Sequence, residues 1–454
     1  MTHVSPKPHA MTIPIQIQAL NEKKKILKDQ SKKTSHLIGQ AKKENSSIDE
    51  LKVIMLEYSR QLKLIDDEIK SLKNPIVQLK ETSSLSTTNV FILDSYNSKE
   101  TPRYPILPAY IESDISIDIY KGTTEAWNNY AAQHAAGTIY YRYEWQQILR
   151  QCYSLSSYYF AAHCNDKIVG ILPITRHTSW LFGDYMVSMP WYGRGGPIAD
   201  TPEIEDQLIQ VAADFASKEA VDHIEFREEV PRKSLPSKTH KVNMVLDLPD
   251  SQEQLWHSFT SKLRAQIKRP QREKTSFLIG GEELIHDFYK VYARNMRDLG
   301  SPPHCKQFIV QIMRNFTSES RLAIVYLDHK PVSAGLLLSK ENTIEIPLAS
   351  TIKEVNHLSM NMLLYWNILS YAIENSYHYF DFGRSSVNAG TYRFKRQWGA
   401  KPKTLHWNYW IEDRGIIPSI NPTNPKYRVV IWFWKHLPIG LANFIGTRLI
   451  RYIS

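Results

Sequence analysis

Apolar residues recur at helical spacing through the first eighty residues of the chain. From residue 15 to residue 74 there is one glycine, Gly39, and no proline, so the segment favours long helices. A break falls at residues 44–47, where Ser47 can cap a second helix. Two helices of this length bury their apolar stripes most simply against each other. The pattern therefore predicts an antiparallel coiled-coil hairpin over residues 15–80.

The rest of the chain alternates strand-like and helix-like segments. Residues 81–114 are rich in Ser, Thr, Asn and Pro and are predicted to be a linker. Residues 115–248 and 249–415 then run through the same order: hairpin, strand, long helix, strand. The hairpin segments AAHCNDKIVGILPI and LAIVYLDHKPVSAGLLL correspond, including Gly170 and Gly335 in their second strands. We therefore expect a duplicated α/β (α+β) unit.

Residues 416–454 form an aromatic, apolar and basic tail that contains Pro438. This composition occurs in helices that lie in a membrane interface, but a helix packed on the globular body is the favoured interpretation. Because no apolar run reaches about 18 residues, no membrane-spanning helix is expected. The start, MTHVSPKPHAMTIPIQ, lacks the apolar core of a secretory signal. We expect a cytoplasmic protein whose tail is a candidate contact with the inner face of the membrane.

Charge and cysteine content narrow the classes of partner. The 454 residues carry a formal net charge of +10, with a pI near 9.1, which favours an acidic partner such as nucleic acid, a phosphorylated substrate or an anionic membrane surface. The three cysteines are scattered without metal-ligand spacing, as in proteins of a reducing compartment. No metal and no cofactor is expected.

The segment DFGRSSVNAGTYRFKRQWGA, residues 381–400, holds the candidate chemistry. A short apolar run leads into Asp381 and Arg384, and polar groups at strand ends commonly form the sites of α/β proteins. Asp381 is a candidate acceptor for the proton of an attacking amine, or else a cap for the next turn. Arg384 is a candidate catalytic residue that binds an anion, or else a partner in a loop salt bridge.

Further residues are candidates for substrate binding. Arg393 and Lys395 flank Phe394 and are predicted to clamp a phosphate, while Trp398 is either a stacking wall or a core aromatic residue. Other candidates are basic residues on one predicted helix and glycines that permit close backbone approach to a ligand: Lys262, Arg264, Lys268, Gly195 and Gly196. The alternatives are a solvated basic helix and ordinary turn geometry.

The element order and the segment 381–400 resemble the FemAB family of acyltransferases, which are tandem GNAT-fold proteins. The best known members use aminoacyl-tRNA to add amino acids to peptidoglycan precursors. The segments SMPWYGRGGPIAD, KLRAQIKRPQR and NMRDLGSPP also match, and the tail resembles the branch found beside PEP-CTERM/exosortase and exopolysaccharide loci. The resemblance covers residues 115–451. It implies GNAT-like domains at 115–248 and 249–415 and an acceptor related to the cell envelope or exopolysaccharide.

The predicted hairpin has a resemblance of its own. Its sequence, including the run IGQAKK, looks like the tRNA-binding arm of seryl-tRNA synthetases, which implies aminoacyl-tRNA as a partner. No class II synthetase motif follows, so the chain is not expected to charge tRNA. In cell-wall members of the FemAB family a similar arm is inserted within the second globular unit, whereas here the arm precedes both units.

These observations leave three functional hypotheses. The first is an acyltransferase that moves an aminoacyl or acyl group directly to an amine, because no nucleophile elbow or Ser/His/Asp set is apparent. The second is an N-acyltransferase with an acyl-thioester donor, although a clean Q/R-x-x-G-x-G/A loop is absent. The third is a non-catalytic, envelope-associated scaffold.

Overall fold

The computed structural model describes residues 115–179, 183–412 and 425–453, with the side chains of 425–430 excepted, and residues 21, 24, 25, 27–29, 31, 34, 35, 62, 66 and 103. The chain divides into two units, Met1–Lys99 and Glu100–Ser454. In the first unit the described positions are helical, and Lys24 forms an ion pair with Asp66. The coiled-coil hairpin otherwise lies outside the described residues and stays a prediction.

The second unit contains two mixed β-sheets. The first sheet has the order β1-β2-β3-β4-β6-β15-β7, with β5 paired to β3. Its strands are β1 (Ile115–Ile119), β2 (Ser156–Cys164), β3 (Lys167–Ser179), β4 (Gly183–Val187), β5 (Ile198–Ala199), β6 (His223–Glu228), β7 (Ser237–Lys238) and β15 (His406–Ile411).

The second sheet has the order β14-β8-β13-β12-β11-β10-β9. Its strands are β8 (Lys241–Asp247), β9 (Thr275–Gly280), β10 (Ser320–Leu327), β11 (Lys330–Lys340), β12 (Thr343–Thr351), β13 (Tyr379–Ser386) and β14 (Lys401–Thr404). The helices that accompany the two sheets are α1 (Thr124–Gln133), α2 (Glu144–Tyr153), α3 (Pro202–Lys218), α4 (Gln252–Ser258), α5 (Ser261–Lys268), α6 (Ile285–Leu299), α7 (Lys306–Asn315), α8 (Met360–Glu374), α9 (Gly390–Arg396), α10 (Pro425–His436) and α11 (Ile439–Leu449).

The two halves repeat one arrangement, which confirms the predicted mixed α/β architecture. Each half has an antiparallel hairpin, a third strand, a long helix and a strand that returns parallel to the third. The parallel pairing is brief in both halves: residues 185–187 pair with 223–225, and residues 343–345 with 379–381. In each half, the two parallel strands pair over only these three residues and then separate.

Glycines at matching positions allow close packing in each half. A Cβ atom on Gly170 of β3 would lie 2.8 Å from the Cβ of Ala199 and 3.0 Å from Leu208 of α3. A Cβ atom on Gly335 of β11 would lie 2.9 Å from Ile346 and 3.3 Å from Ile368 of α8. All four distances are shorter than ordinary van der Waals contact, so a larger residue at either position would push the helix or the neighbouring strand away.

The sheets exchange strands across residue 248. Strand β8 precedes this residue but pairs with β13 and β14 in the second sheet. Strand β15, near residue 410, returns to the first sheet and pairs with β6 and β7. The two halves are therefore held together by backbone hydrogen bonds as well as by side-chain packing. This exchange places groups from both halves around the end of β13.

Candidate active site

The site is built where β12 and β13 stop pairing. The last parallel pair joins Glu345 to Asp381, and a β-bulge follows between Asp381 and Arg384. Gly383 in the bulge has φ +72°, a left-handed conformation that favours glycine. Bulges re-aim side chains and are frequent beside active sites. The bulge brings the Asp381 side chain toward residues of the first half.

Asp381 is fixed by three hydrogen bonds. Its Oδ2 accepts from Asn243 Nδ2 at 2.6 Å and from an Nη atom of Arg194 at 2.7 Å, and its Oδ1 accepts from the Gly383 N–H at 2.7 Å. The side chain is only 1% exposed. Burial raises the pKa of Asp381, and the charge of Arg194 opposes that rise. With its oxygens occupied, Asp381 organises the site.

Glu345 is the more accessible carboxyl of the pair. Its side chain is 14% exposed, and its Oε2 lies 3.9 Å from the guanidinium of Arg194. Burial, with a further contribution from the negative charge of Asp381, raises the pKa of Glu345 to about 8. A carboxyl whose pKa lies near neutral pH is well suited to accept a proton, and perturbed pairs of this kind are frequent at functional sites.

Lys395 supplies a buried cation beside the two carboxyls. Its Nζ donates to the carbonyl oxygens of Gly383 at 3.0 Å and of Arg384 at 2.9 Å. Burial lowers the pKa of Lys395 to about 8, while the charges of Asp381 and Glu345 act in the opposite direction. The Lys395 side chain therefore reaches from α9 to the bulge and places a positive charge beside Asp381 and Glu345.

Arg194 is one of two candidate site residues that the sequence analysis did not identify. It stands in the loop after β4, bonds Asp381 across the two halves, and lies 3.3 Å from Glu229. The available signal was a lone charge within the apolar and glycine-rich run WYGRGGP. Glu345 was missed as well, and its signal was an acidic residue in the middle of the apolar strand TIEIPL.

The structure separates Arg393 from Lys395, so the predicted joint clamp is corrected. Residues two apart on a helix point about 200° away from each other. Accordingly Arg393 of α9 is exposed and donates to Asn388 O at 3.1 Å, while Lys395 is buried. Trp398 is 1% exposed and packs against Phe259, with ring centroids 5.4 Å apart. Of its two predicted roles, the structure places it at a core position.

The glycines and the basic helix that were predicted to bind substrate have different contacts in the structure. The N–H groups of Gly195 and Gly196 both donate to Arg227 O at 3.0 Å, so they are not available to a ligand. A Cβ atom on Gly196 would lie 2.2 Å from Glu228, which shows that the glycines allow the loop to pack on β6. On α5, Lys262 and Lys268 are exposed, while Arg264 approaches Trp256 O at 3.5 Å.

Arg384 follows Asp381 by three residues in the sequence, but its side chain packs against Trp407 and not against the acid pair. Its guanidinium carbon lies 5.0 Å from the centre of the Trp407 ring. Burial, with a contribution from the nearby Arg227, lowers the pKa of Arg384 to about 9. Among the residues that the structure describes, no carboxylate forms an ion pair with Arg384, and its guanidinium contacts a residue of the first sheet.

An open pocket of about 410 Å³ is lined in part by α9. Its other walls are the ends of α6 and β12 and the N-terminal part of α8, and α9 contributes Phe394, the residue before Lys395. Polar residues such as Thr351 and Asn361 line it. The pocket is large enough for a small substrate group. In the described part of the chain, no group of His, Cys, Asp and Glu residues has the arrangement of a metal site.

Comparisons with known proteins agree with this architecture. Residues 257–396 match the family described as acetyltransferase (GNAT) domain. The solved structure of FemX superposes with a TM-score of 0.53 at 12% identity, covering 69% of this chain and 99% of FemX. The fold is the tandem GNAT fold of FemX. This confirms the predicted pair of GNAT-like units, and the domain match supports acyltransferase chemistry.

More distant structures give lower scores. The C-terminal domain of a putative lysylphosphatidylglycerol synthetase from Agrobacterium fabrum has a TM-score of 0.40 at 12% identity, over 53% of this chain and 80% of that domain. A tandem GNAT protein from the clavulanic acid biosynthesis pathway has a TM-score of 0.38 at 10% identity, and the match covers 64% of this chain and 93% of that protein. No curated protein matches the sequence. Within the described residues, none of the helices combines the length and apolar character needed to cross a bilayer.

Proposed function

We propose that this protein is an acyltransferase that moves an activated aminoacyl or acyl group directly onto an amine. The observation that carries the proposal is the pair Glu345 and Asp381 at the end of the parallel strands, joined to Arg194 of the other half. The match of residues 257–396 to a GNAT acetyltransferase domain supports the same reaction class. Direct transfer requires positioning, a proton acceptor and stabilisation of the developing oxyanion.

The residues divide these tasks. The amine nitrogen attacks the acyl carbonyl carbon, and Glu345, as the accessible carboxylate, accepts the proton that the nitrogen loses. The carbonyl bond then re-forms as the alkoxide or thiolate of the donor leaves and takes up a proton. Asp381 holds Arg194 and Asn243 in place, while Arg194 and Lys395 provide positive charge near the developing oxyanion.

Two kinds of acyl donor are compatible with this reaction, an aminoacyl ester and an acyl thioester. An aminoacyl ester is supported by the resemblance of residues 15–80 to a tRNA-binding arm and by the FemX-like fold. The acetyltransferase family match instead favours an acyl thioester. The resemblance to the FemAB family favours an acceptor amine on an envelope or exopolysaccharide precursor. We place the aminoacyl donor first, because the arm and the fold support it independently.

We also propose that the C-terminal helices α10 and α11 contact an anionic membrane surface. Trp432, Phe433 and Phe444 are 56%, 61% and 59% exposed, far more than the core aromatics. Arg448 lies 3.7 Å from the centre of the Phe444 ring, so a cation accompanies the exposed apolar side chains. This combination of exposed aromatic and basic groups is typical of interfacial helices. The contact would bring the enzyme to a lipid-linked acceptor.

A transfer assay with isosteric variants tests the proposed reaction. Radiolabelled aminoacyl-tRNA and labelled acetyl-CoA are offered separately with an envelope-precursor fraction, and label that survives mild alkali is counted, since amides survive and esters do not. We expect transfer by the wild type, rising with pH toward about 8, and a loss of about 10²–10⁴-fold in E345Q. The control is E341Q, because Glu341 is an exposed glutamate in the turn between β11 and β12, four residues before Glu345. Equal transfer by E345Q and wild type would refute the assigned proton acceptor, and no transfer from either donor would favour the scaffold.

A further inference from the structure

Two cysteines that take no part in the acid site come together from different halves of the second unit. Cys152 lies in the last turn of α2, and Cys305 is the N-cap residue of α7. Both are half-buried and pack against the same hydrophobic core cluster, and a hydrogen bond joins their thiols. Their sequence neighbours are joined as well, since the Tyr153 hydroxyl lies 2.8 Å from His304 Nδ1. The third cysteine, Cys164, is buried in β2.

The surroundings of Cys305 favour its thiolate form. Cys152 donates to the Cys305 sulfur, and this hydrogen bond lowers the pKa of Cys305 to about 6, while burial acts in the opposite direction. A hydrogen bond from the Tyr153 hydroxyl also lowers the pKa. The start of α7, a helix of ten residues, adds the positive end of a helix dipole. The bond between the thiols raises the pKa of Cys152, so one sulfur is the anion and the other is its proton donor.

Buried groups hold the segment that carries Cys305 in place. The His304 N–H donates to Tyr292 OH at 3.0 Å, and Tyr289 OH donates to His304 O at 3.1 Å. Burial lowers the pKa of His304 to about 3, so its ring is neutral. With its proton on Nδ1 the ring donates to Tyr153, whose hydroxyl proton is then directed to Cys305. The titratable neighbours that interact with Cys305 are all neutral near pH 7: Cys152, Tyr153, Tyr289 and Tyr292.

We propose that Cys152 and Cys305 are a modification site that reacts with a low-molecular-weight disulfide and becomes a disulfide between the two halves. The Cys305 thiolate attacks one sulfur of the small disulfide, which gives a mixed disulfide and releases the first small thiolate. Cys152 then loses its proton and attacks the Cys305 sulfur, which closes the protein disulfide and releases the second small thiolate. The released thiolates take up the two protons that the protein thiols lose. The protein dithiol is thereby oxidised by two electrons, and the small disulfide is reduced by two.

The new bond would join the end of α2 to the start of α7. Because α2 belongs to the first half and α7 to the second, it adds a covalent link to the strand exchange that already holds the halves together. Cys305 also ends the segment 300–305 that follows α6, and Asn295, Asp298 and Leu299 of α6 line the pocket of about 410 Å³. Oxidation therefore fixes one end of the segment that connects this pocket wall to α7. The modification does not depend on the proposed transfer reaction.

Counting thiols in the full chain before and after oxidation tests the proposal. The folded protein is incubated with oxidised glutathione at neutral pH and then unfolded, its free thiols are counted, and its peptides are mapped by mass spectrometry. We expect the count to fall from three to one, with a peptide pair joined through Cys152 and Cys305. The variants C152A and C305A should form no disulfide within the chain. The matched control C164A should still form the bond and retain no free thiol.

Alkylation rates test which cysteine is the attacking group. In the reduced, folded protein at neutral pH, iodoacetamide should modify Cys305 at least about tenfold faster than Cys152, because the thiolate is the nucleophile. C152A removes the hydrogen-bond donor and should slow the alkylation of Cys305 at least about threefold, whereas C164A should leave the rate unchanged. Equal rates at the two cysteines, or a Cys305 rate unchanged in C152A, would overturn the assignment of Cys305 as the attacking thiolate.

Three results of the oxidation experiment would overturn the proposal itself. They are retention of three thiols, a disulfide that includes Cys164 or joins two chains, and glutathione that stays on Cys305 without a bond to Cys152. If an alanine variant does not fold, the peptide map of the wild type decides the matter alone. Because the oxidation state of the thiols is measured, failure here is distinguishable from failure of the transfer assay.

Discussion

Replacing Glu345 with glutamine should stabilise the fold at alkaline pH while it removes activity. Glu345 has a folded-state pKa of about 8, against a reference value of 4.5, because it is buried beside Asp381. A folded pKa above the unfolded one means that stability is complete below about pH 4.5 and is lost as pH rises through about 8. Glutamine has nearly the same shape and stays neutral, so E345Q avoids this loss.

The size of the effect follows from the pKa difference. Moving a carboxyl pKa from 4.5 to about 8 corresponds to roughly 5 kcal/mol of unfolding free energy at pH 9. This is a ceiling, because the side chain is 14% exposed and water reduces the penalty of ionisation. We expect E345Q to exceed the wild type by at least about 1–2 kcal/mol at pH 9 and to match it near pH 4.5.

Urea unfolding at pH 4.5, 7 and 9 measures the difference directly, provided that both proteins unfold reversibly. E341Q serves as the matched control, since Glu341 is 66% exposed and its neutralisation should change stability by less than about 0.5 kcal/mol at every pH. An E345Q variant that is less stable than the wild type at pH 9, or whose advantage does not depend on pH, would refute the reasoning. Such a result would mean that Glu345 is stabilised as an anion in the folded protein.

Three further outcomes follow from the same structure. R194A should lower the unfolding free energy by about 3–5 kcal/mol in urea titrations, because it leaves a buried carboxylate without its cation; a loss below about 1 kcal/mol would contradict this. G383A places a side chain at φ +72° beside the acid pair, and we expect a stability loss of about 1–2 kcal/mol together with reduced transfer. In sedimentation with vesicles containing phosphatidylglycerol, the double variant F433E/F444E should lose binding, whereas L278E, an exposed apolar position on β9, should retain it.

Local patterns in the sequence were sufficient to predict the repeated elements. The long helix predicted in the second repeat spans Met360–Glu374, and the predicted hairpin segment LAIVYLDHKPVSAGLLL forms β10 and β11. The predicted basic helix that carries Lys262 and Lys268 begins only after Thr260, and a separate helix, α4, precedes it. Thr260 adopts an extended conformation, and its side chain caps α5 by accepting from Leu263 N. Such breaks depend on a single capping residue, which periodicity does not register.

Non-local pairing explains what the sequence did not predict. Strand β14 is four exposed residues, KPKT. Among the described strands it pairs only with β8, more than 150 residues earlier in the sequence. The alternation of Arg393 and Lys395 with aromatic residues suggested one shared face, but the segment is a helix, so the two side chains diverge. Asp381 could be identified because it follows a short apolar run in the sequence. Arg194 could not, because its contact with Asp381 forms only when the two halves pack together.

The exchange of β8 and β15 is what makes the site a property of the whole second unit. Asp381 and Glu345 lie on adjacent strands of the second sheet, but their cation, Arg194, comes from the loop after β4 of the first sheet. Asn243, which completes the bonding of Asp381, comes from the exchanged strand β8. Two buried carboxyls without these partners would repel each other and be destabilising. Neither half can therefore assemble the acid pair alone, and the duplication yields one charged centre at the seam between its halves.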